Sequence, residues 1–588
     1  MNLKVLKKIW TLLDQKQHSQ VCSLLIMMIL AMILETLSIG LIVPATNFLL
    51  QQSGSVSSNH FEDLSLMAKG FSPIQLVLCG LLILTLVFMA KTLMLVYMAW
   101  TQTKFAFDMQ ANLSLRLFRV YLRQPYTFHL QRNTAQLIRN ISYEVGLFSN
   151  MVSSTLAMAS ECFIFLGLLI LIIYIEPIGA LSAILVLGIS SWLLHKCTSS
   201  RVAKWGELRQ HSEGMRQQHL QQGFGGIKDI LVLGREEAFV ANFSSHNNQI
   251  ARSGQLQQMT ERMPRLFLEL VAMVGLGALV ATMFAQGKPT AEIVAALGLF
   301  AASSFRLLPS ATRIFNAIQL IRYAYPSINI LSSELNLPLL REGKLSQDGS
   351  IENSKFKHVL TANKVNFVYP GSEKNAIENV SLSIFKGEMV GFAGASGSGK
   401  STFIDICLGL LRPTGGEILI DGKSISSSLK GWQSQIGYVP QSIFLIDDTL
   451  RRNIAFGVTD SDIDDEKIIN ALRASSLIDF IRELPGGLDA MMGERGVRIS
   501  GGQRQRIGIA RALYHNPSVL VLDEATSALD VLTEQEIMKT IYSLRKEKTI
   551  LIVAHRISTM KNCDKIFEFK NGVMTGAIPY DVLIERTR

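Results

Sequence analysis

The chain has 588 residues, of which 48% are hydrophobic and 18% charged, and its formal net charge is +10. This length predicts two or three domains, and a mean hydropathy of +0.28 is too high for an ordinary soluble protein. The basic residues lie beside apolar segments and do not alternate with aromatics, which argues against nucleic-acid binding. The six cysteines are scattered without C-x-x-C spacing, which predicts neither a disulfide framework nor a zinc site; most are expected to be buried.

Six apolar segments predict six membrane-spanning helices. The first is long for a signal peptide and lacks a small-residue cleavage site, so we interpret it as a span. The short turn Glu176-Pro177 separates the third span from the fourth. In chain order the predicted spans cover residues 21–43, 74–100, 152–175, 178–194, 266–284 and 293–308.

Lysine and arginine are concentrated in two of the connections, from Lys104 to Arg139 and from Arg201 to Arg252. Because positive charge marks the cytoplasmic side, both connections and both termini are predicted to be cytoplasmic. Helical spacing of apolar and basic residues predicts that spans two to five continue into the cytoplasm as long helices. Disordered basic loops are the alternative, which frequent Leu, Phe and Val disfavour.

A polar stretch rich in Gly, Ser and Lys, residues 336–355, predicts a linker. It divides the chain into a six-helix membrane domain, residues 1–335, and an α/β domain, residues 356–588. No internal repeat is visible, so the chain carries one copy of each domain.

A phosphate-binding loop follows a predicted strand at Val390–Phe392 and precedes a predicted helix at Thr402–Leu411. In that context backbone N–H groups surround a triphosphate, Lys400 contacts the β- and γ-phosphates, and Ser401 ligates Mg²⁺. The residues assigned to this site are Gly394, Ala395, Ser396, Gly397, Ser398, Gly399, Lys400, Ser401 and Thr402.

Two later motifs complete the pattern. The run Arg498-Ile-Ser-Gly-Gly-Gln-Arg-Gln-Arg506 predicts a second phosphate-binding surface at a helix N-terminus, and the strand from Val519 ends in Asp523 and Glu524. With the phosphate loop, these motifs resemble the nucleotide-binding domain of ABC transporters, of the P-loop α/β fold. The signature run has Ile499 where Leu is usual, a change that keeps the volume.

The resemblance implies ATP and Mg²⁺ as ligands and assigns roles to particular residues. Asp523 and Gln441 would hold the metal, and Gln441 would also contact the membrane domain. Glu524 would orient and deprotonate the attacking water, or else only end the strand. His555 would reach the γ-phosphate, and Tyr369 would stack on adenine, unless it is a core residue.

In the family, the signature residues face the phosphate loop of a second copy of the ATPase domain. In this sequence they are Ser500, Gly501, Gly502 and Gln503, and Ser527–Asp530 would lie at the same interface. One ATPase domain per chain therefore implies a dimer; a homodimer is expected, and a heterodimer is the alternative. Pro125–His129 and Phe224–Ile230 are the candidate coupling helices of the two cytoplasmic connections.

Charges within or next to the spans are costly unless paired or hydrated. Arg306 and Arg313 are seven residues apart and so share one helix face, which together with Lys91 could form a cationic wall for a pyrophosphate. Alternatively, the cations pair with the acidic residues of the spans, which are Glu35, Glu161 and Glu269.

The membrane half, at residues 34–44 and 304–312, also resembles PglK-type flippases of lipid-linked oligosaccharides. Residues 59–69 are either the short external helix of that family or an ordinary loop. The expected function is ATP-driven flipping of a polyprenyl-pyrophosphate-linked oligosaccharide across the bacterial inner membrane. The alternatives are a multidrug or peptide exporter, a lipid A type glycolipid flippase, and a regulator or channel gated by ATP.

Overall fold

The computed structural model describes residues 3–41, 73–175, 177–287, 290–338, 355–493, 496, 499–526, 530–554 and 556–585. The chain divides into two compact units. Unit 1 comprises Met1–Gln124 and Arg132–Leu339, and unit 2 comprises Pro125–Gln131 and Leu340–Arg588. The predicted external helix at residues 59–69 and most of the predicted linker lie outside the described residues.

Ten helices are described before the second domain begins, and all but α4 belong to unit 1. They are α1 (Leu3–Leu12), α2 (Gln15–Gly40), α3 (Pro73–Leu122), α4 (Tyr126–Gln131), α5 (Thr134–Arg139), α6 (Val145–Ile175), α7 (Pro177–Gly225), α8 (Ile227–Leu233), α9 (Glu236–Ala285) and α10 (Thr290–Leu335).

Four of these helices are much longer than a bilayer requires. Helices α3, α7, α9 and α10 have 50, 49, 50 and 46 residues. At 1.5 Å per residue each is roughly 70–75 Å long, against about 30 Å of hydrocarbon. The long helices expected for spans two, four and five are therefore present as α3, α7 and α9, whereas α6, which contains the third span, has 31 residues and begins only seven residues before that span. The sixth span continues well beyond its predicted end at Leu308, because α10 runs to Leu335.

Three described stretches are long and apolar enough to cross a membrane: Gln15–Gly40, Leu78–Leu122 and Thr134–Leu171. They overlap the first three predicted spans, residues 21–43, 74–100 and 152–175, but do not include the end of the first, the first four residues of the second or the last four of the third. The other three predicted spans lie in α7, α9 and α10, where many of the span side chains are outside the description.

Most of the cysteines are not buried, contrary to expectation. Of the six, Cys407 is buried, whereas Cys22, Cys79 and Cys197 are exposed. These three lie on α2, α3 and α7, where the described residues leave them exposed. In a membrane-spanning chain, lipid can cover such surfaces instead of a protein core.

Unit 2 contains two sheets. An antiparallel sheet has the order β2-β1-β4-β5, and a six-stranded sheet has the order β10-β9-β3-β8-β7-β6, parallel except for β10. The strands are β1 (Val359–Val368), β2 (Asn375–Phe385), β3 (Met389–Ala393), β4 (Gly415–Ile420), β5 (Lys423–Ser424), β6 (Ile436–Val439), β7 (Val519–Asp523), β8 (Thr549–Val553), β9 (Lys565–Lys570) and β10 (Val573–Ile578).

The remaining helices surround these strands. They are α11 (Lys400–Cys407), α12 (Leu429–Gln433), α13 (Leu450–Ile454), α14 (Asp465–Ala474), α15 (Ile478–Glu483), α16 (Gly501–Tyr514), α17 (Val531–Ser543) and α18 (Tyr580–Glu585). Helix α11 is shorter than the predicted Thr402–Leu411, because the chain turns at Gly409 with φ +70°.

The central strands bring the motifs to one edge of the sheet. Every residue of β3, β7 and β8 is buried, as expected of parallel strands covered on both faces. The phosphate loop follows β3, and Glu524 follows β7. Since β3, β8 and β7 are neighbours, these segments leave the sheet side by side at its carboxyl edge, where α/β proteins bind ligands.

Candidate functional site

The phosphate loop adopts a conformation that requires glycine. Gly394 has φ +141°, and a Cβ atom there would lie 2.3 Å from the carbonyl oxygen of Phe569. A Cβ at Gly397 would meet nothing within 4 Å, so the loop faces open space there. The Nζ of Lys400 donates to the carbonyl oxygens of Gly394 and Ala395, each at 2.8 Å. Burial lowers the pKa of Lys400. Its ammonium is therefore held by neutral groups that a phosphate can replace.

Two oxygen groups below the loop suit Mg²⁺. The hydroxyl of Ser401 donates to Oδ1 of Asp523 at 3.4 Å. Burial, and then the charge of Glu524, raise the pKa of Asp523. A divalent cation would favour the ionised carboxylate again, and hydroxyl and carboxylate oxygens are ligands that Mg²⁺ accepts. The residues present therefore fit the metal.

Glu524 is held in a strained conformation next to Gln441. Its φ is +51°, in the left-handed region, which costs a residue other than glycine about 1–3 kcal/mol. The amide Nε2 of Gln441 donates to Oε2 of Glu524 at 2.6 Å. The predicted water-activating carboxylate and the predicted sensing glutamine are thus joined directly.

The signature run forms a helix N-terminus, as its sequence predicts. Ser500 caps α16: its hydroxyl accepts from the Gln503 backbone N–H at 3.1 Å, and the Gln503 side chain accepts from the Ser500 N–H at 2.9 Å. This capping box leaves Gly501 and Gly502 in the first turn, where backbone N–H groups and the helix dipole favour an anion. Arg498 lies outside the described residues.

Tyr369 and Pro370 lie where the predicted adenine contact meets helix α4. Its hydroxyl is hydrogen-bonded to that of Thr402 at 3.0 Å, and its ring packs edge-on against Phe367. Gln131, at the end of α4, donates to the carbonyl oxygen of Pro370 at 3.5 Å. A short helix, α4, is thus present one to two residues later than the coupling helix predicted at Pro125–His129, and it lies beside the predicted adenine contact; its coupling role stays a prediction.

His555 and Ser527–Leu529 lie outside the described residues, but their neighbours are tied together. The hydroxyl of Thr526 donates to Oε1 of Glu534 at 3.0 Å, and Arg556 forms an ion pair with the other oxygen of the same carboxylate. Glu534 therefore links the chain segments that flank both predicted contacts.

Two residues near the metal position were not predicted. The side chain of Tyr438, on β6, interacts with the carboxylate of Asp523. Burial, and then the charge of Asp523, raise the pKa of Asp405 to about 6. Asp405 is four residues after Ser401 and so one turn along the same face of α11; that spacing was the signal available in the sequence.

The charges of the membrane half form pairs. Nζ of Lys91 lies 3.3 Å from Oε1 of Glu35 and 3.5 Å from the hydroxyl of Ser38. Nε of Arg313 lies 3.1 Å from Oε1 of Glu161. Of the two interpretations of these cations, pairing describes Lys91 and Arg313.

The two pairs differ in exposure. The Lys91 side chain is 15% exposed, and that of Arg313 is 51% exposed. Glu269 pairs with Arg265 on its own helix, at 2.9 Å. The side chain of Arg306 is outside the description. The structure thus brings Arg313 and Lys91 each to a carboxylate and does not join them to one another.

Comparison with known proteins gives two family matches, "ABC transporter transmembrane region" over residues 19–308 and "ABC transporter" over residues 377–527. Three relatives are named ATP-dependent lipid A-core flippase. The Photorhabdus laumondii protein is 31% identical over 494 residues, 83% of this chain and 82% of its own. The Shigella sonnei protein is 30% identical, with the same two shares. The Ralstonia nicotianae protein is 27% identical, over 81% of this chain and 80% of its own.

A solved structure with a similar fold is described as a bacterial Atm1-family ABC exporter with ATP bound. Its TM-score with this chain is 0.79 over 97% of this chain and 98% of that one, at 21% sequence identity. At that identity the likeness concerns the fold, a helical membrane domain fused to an α/β nucleotide-binding domain.

Proposed function

The chain belongs to the ABC transporter family as an exporter half-transporter that couples ATP hydrolysis to transport, and we propose that two copies flip a phosphate-bearing lipid across the bacterial inner membrane. The first candidate is a polyprenyl-pyrophosphate-linked oligosaccharide. A lipid A type glycolipid is the second, favoured by the names of the relatives. The hydrogen bond between Gln441 and Glu524 supports the ATP-driven part of the proposal, and the accessible guanidinium of Arg313 supports a phosphate-bearing substrate.

In the proposed cycle, Lys400 leaves the loop carbonyls and contacts the β- and γ-phosphates of ATP. Ser401, Asp523 and Gln441 would hold Mg²⁺, which would neutralise phosphate charge there. Glu524 orients the attacking water and takes its proton. The 2.6 Å bond from Gln441 supports this role, because it fixes the direction in which the carboxylate of Glu524 points.

We assign the active unit to a homodimer. Each chain supplies one phosphate loop and one capped signature helix, α16, and in the proposed dimer each signature completes the site of the partner. The N-terminus of α16 suits the γ-phosphate there, since its first-turn N–H groups have no helical acceptor. His555 and Ser527–Asp530 are assigned to the same interface on the sequence pattern alone.

The two cytoplasmic connections support different partners for the two coupling helices. Helix α4 groups with unit 2 of its own chain. Helix α8, by contrast, exposes 59% of Leu231, 77% of Val232 and 69% of Leu233. Three adjacent, exposed large apolar side chains on a cytoplasmic helix indicate that another protein surface covers them. We assign that cover to the ATPase unit of the second copy, so that closure of the dimer moves both connections.

For substrate binding we assign Arg313 to an anionic headgroup, with Arg306 beside it on the sequence pattern. Lys91 is engaged by Glu35 and little exposed, so it contributes less. A guanidinium suits phosphate because it offers parallel N–H donors and cannot be deprotonated.

Reconstituted protein tests this assignment directly. ATPase rate and flipping are measured in proteoliposomes with a polyprenyl pyrophosphate, lipid A, an uncharged glycolipid and a cationic drug. Stimulation by either phosphate-bearing lipid supports the proposal, and their ratio decides between the two candidates. Stimulation by the drug or the uncharged lipid alone would favour a multidrug exporter instead.

A further inference from the structure

Arg313 is paired with Glu161, whose carboxylate is also bonded to Ser310. This contact indicates how deep Arg313 lies in the membrane domain, which the sequence alone does not predict. Glu161 lies near the middle of the third predicted span, residues 152–175, whereas Arg313 is five residues past the predicted end of the sixth, Leu308. The 3.1 Å contact between them shows that both side chains reach the same level. The cation therefore lies within the membrane half, where an unpaired charge would cost about 2.5–3.5 kcal/mol or more.

Both oxygens of the Glu161 carboxylate are used. Oε1 contacts Nε of Arg313, and Oε2 accepts a 2.6 Å hydrogen bond from the hydroxyl of Ser310. Ser310 is completely buried, and Glu161 is 7% exposed. Because Ser310 and Arg313 are three residues apart on α10, the carboxylate of α6 is fixed against one face of that helix.

The contact uses Nε, the guanidinium nitrogen nearest the chain, and half of the Arg313 side chain stays accessible. A guanidinium fixed through Nε still has its terminal nitrogens, which can grip a phosphate in a bidentate manner. The pair of Lys91 and Glu35 has a similar composition, carboxylate plus serine, but that lysine is enclosed. Arg313 is thus both paired with a carboxylate and accessible to a ligand.

We propose that Glu161 and Ser310 are positioning residues that aim the Arg313 guanidinium at the phosphate of a lipid headgroup. This rests on the proposed function, because it requires a phosphate-bearing lipid as substrate. The shared chemistry is a lipid phosphate or pyrophosphate, whether its source is a polyprenyl carrier or lipid A. A preset arginine loses less side-chain entropy on binding than a mobile one, which strengthens recognition.

The test compares Glu161→Gln and Ser310→Ala with a matched control, Arg265→Gln, which removes an exposed arginine–glutamate pair of unit 1. Lipid-stimulated ATPase is titrated in proteoliposomes with a polyprenyl pyrophosphate, lipid A and an uncharged glycolipid. We expect Glu161→Gln to raise the half-saturating concentration of the phosphate-bearing lipids about tenfold, and Ser310→Ala about threefold. The control should not change it.

A swap separates positioning from simple helix pairing. Glu161→Arg with Arg313→Glu keeps an ion pair but moves the cation from α10 to α6. If the pair only joins the helices, the swap restores wild-type titration and the proposal is overturned. Unchanged titration in both Glu161→Gln and Ser310→Ala also overturns it, even if the swapped protein does not fold.

The source of the phosphate is decided by the wild type. A response to lipid A alone removes the polyprenyl candidate, and the positioning role is then read from the lipid A titrations of the variants. A wild type that responds only to the uncharged glycolipid overturns the proposed substrate class together with this inference. A wild type that responds to phosphate with variants that titrate normally overturns the inference alone.

Discussion

The ATP site of unit 2 and the charged pairs of unit 1 both keep a cation close to carboxylates, but they hold it differently. Lys400 is bonded to two backbone carbonyls and not to Asp523 or Glu524. Lys91 and Arg313 are bonded to buried carboxylates. A lysine that leaves neutral carbonyls strands no charge, whereas a cation that leaves a buried carboxylate does.

This difference indicates which cations are available to an anionic ligand. Lys400 can move to a phosphate at low cost. Lys91 is confined by Glu35, whose side chain is 3% exposed. Arg313 is intermediate, since it can bind a second anion without leaving Glu161. The lysine of the ATP site can therefore exchange its carbonyl partners for a phosphate. A cation of the membrane pairs can bind a phosphate only where it is an arginine, whose guanidinium can contact two anions at once.

The largest expected effect concerns the ATP site. Glu524→Gln keeps the shape of the side chain but removes the proposed base, so we expect steady-state hydrolysis to fall at least about 100-fold while ATP still binds. Measurement of phosphate release and of retained nucleotide checks this. Glu417→Gln, at an exposed position on β4, is the matched control. Rapid turnover by Glu524→Gln would mean that Glu524 is not the base and that its carboxylate only pairs with neighbouring groups, as the carboxylates of unit 1 do.

The second-largest expected effect is a difference in lipid transport between variants that lack the Arg313–Glu161 pair and variants that lack the Lys91–Glu35 pair. Removal of a whole pair avoids a stranded buried charge, and replacing a pair by neutral groups is often tolerated. We expect Arg313→Met with Glu161→Gln to lower lipid-stimulated transport about tenfold or more. Lys91→Met with Glu35→Gln should lower it less than twofold, and flipping of a fluorescent lipid in proteoliposomes measures both. Equal losses would show that exposure does not decide availability.

A third prediction concerns the link between the two regions. Val232→Asp with Leu233→Asp places charge on the exposed apolar tip of α8. Loss of apolar anchors typically costs 1–2 kcal/mol or more, so the ratio of lipid-stimulated to basal ATPase should fall roughly tenfold. Val240→Asp, at a position 56% exposed on the next helix, α9, is the control. If the ratio is unchanged, α8 does not connect the membrane pairs with ATP hydrolysis.

The smallest effect tests the electrostatics of the ATP site without nucleotide. Because the pKa of Asp405 is raised to about 6, the folded protein keeps a proton that the unfolded chain loses above its ordinary pKa near 4. Stability should therefore fall as pH rises from about 4 through 6. Partial exposure limits the fall to about 1 kcal/mol.

Asp405→Asn should remove that decline and melt higher at pH 8, which thermal unfolding of the full chain between pH 4 and 8 measures. Asp581→Asn, on the terminal helix α18, is the control. Parallel melting curves for wild type and Asp405→Asn would contradict the raised pKa.

The sequence was informative about the ATP site because its motifs are local. The loop at Gly394–Ser401 and the acidic pair after β7 are short runs whose backbone geometry follows from glycine and strand burial. The hydrogen bond between Gln441 and Glu524 spans 83 residues and depends on the adjacency of β6 and β7, which no local run encodes. Tyr438 escaped notice for the same reason.

The membrane half was less predictable. Helical spans follow from apolar length, but partners such as Glu161 and Arg313 depend on which helices pack together and at what depth. Apolar length placed the end of the sixth span at Leu308, although α10 continues through Arg313. The seven-residue spacing of Arg306 and Arg313 predicted a shared cationic face on one helix. Packing between helices places the carboxylate of Glu161 against Arg313 on that face.

The quantity to measure is ATP-driven lipid flipping by the full-length protein. Proteoliposomes that contain wild-type protein or Glu524→Gln are loaded with a fluorescent polyprenyl pyrophosphate or lipid A, and the lipid in each leaflet is followed with and without ATP and Mg²⁺. We predict redistribution only for the wild type with both present. Equal redistribution without ATP, or by Glu524→Gln, would contradict the coupling of hydrolysis to transport proposed for these residues.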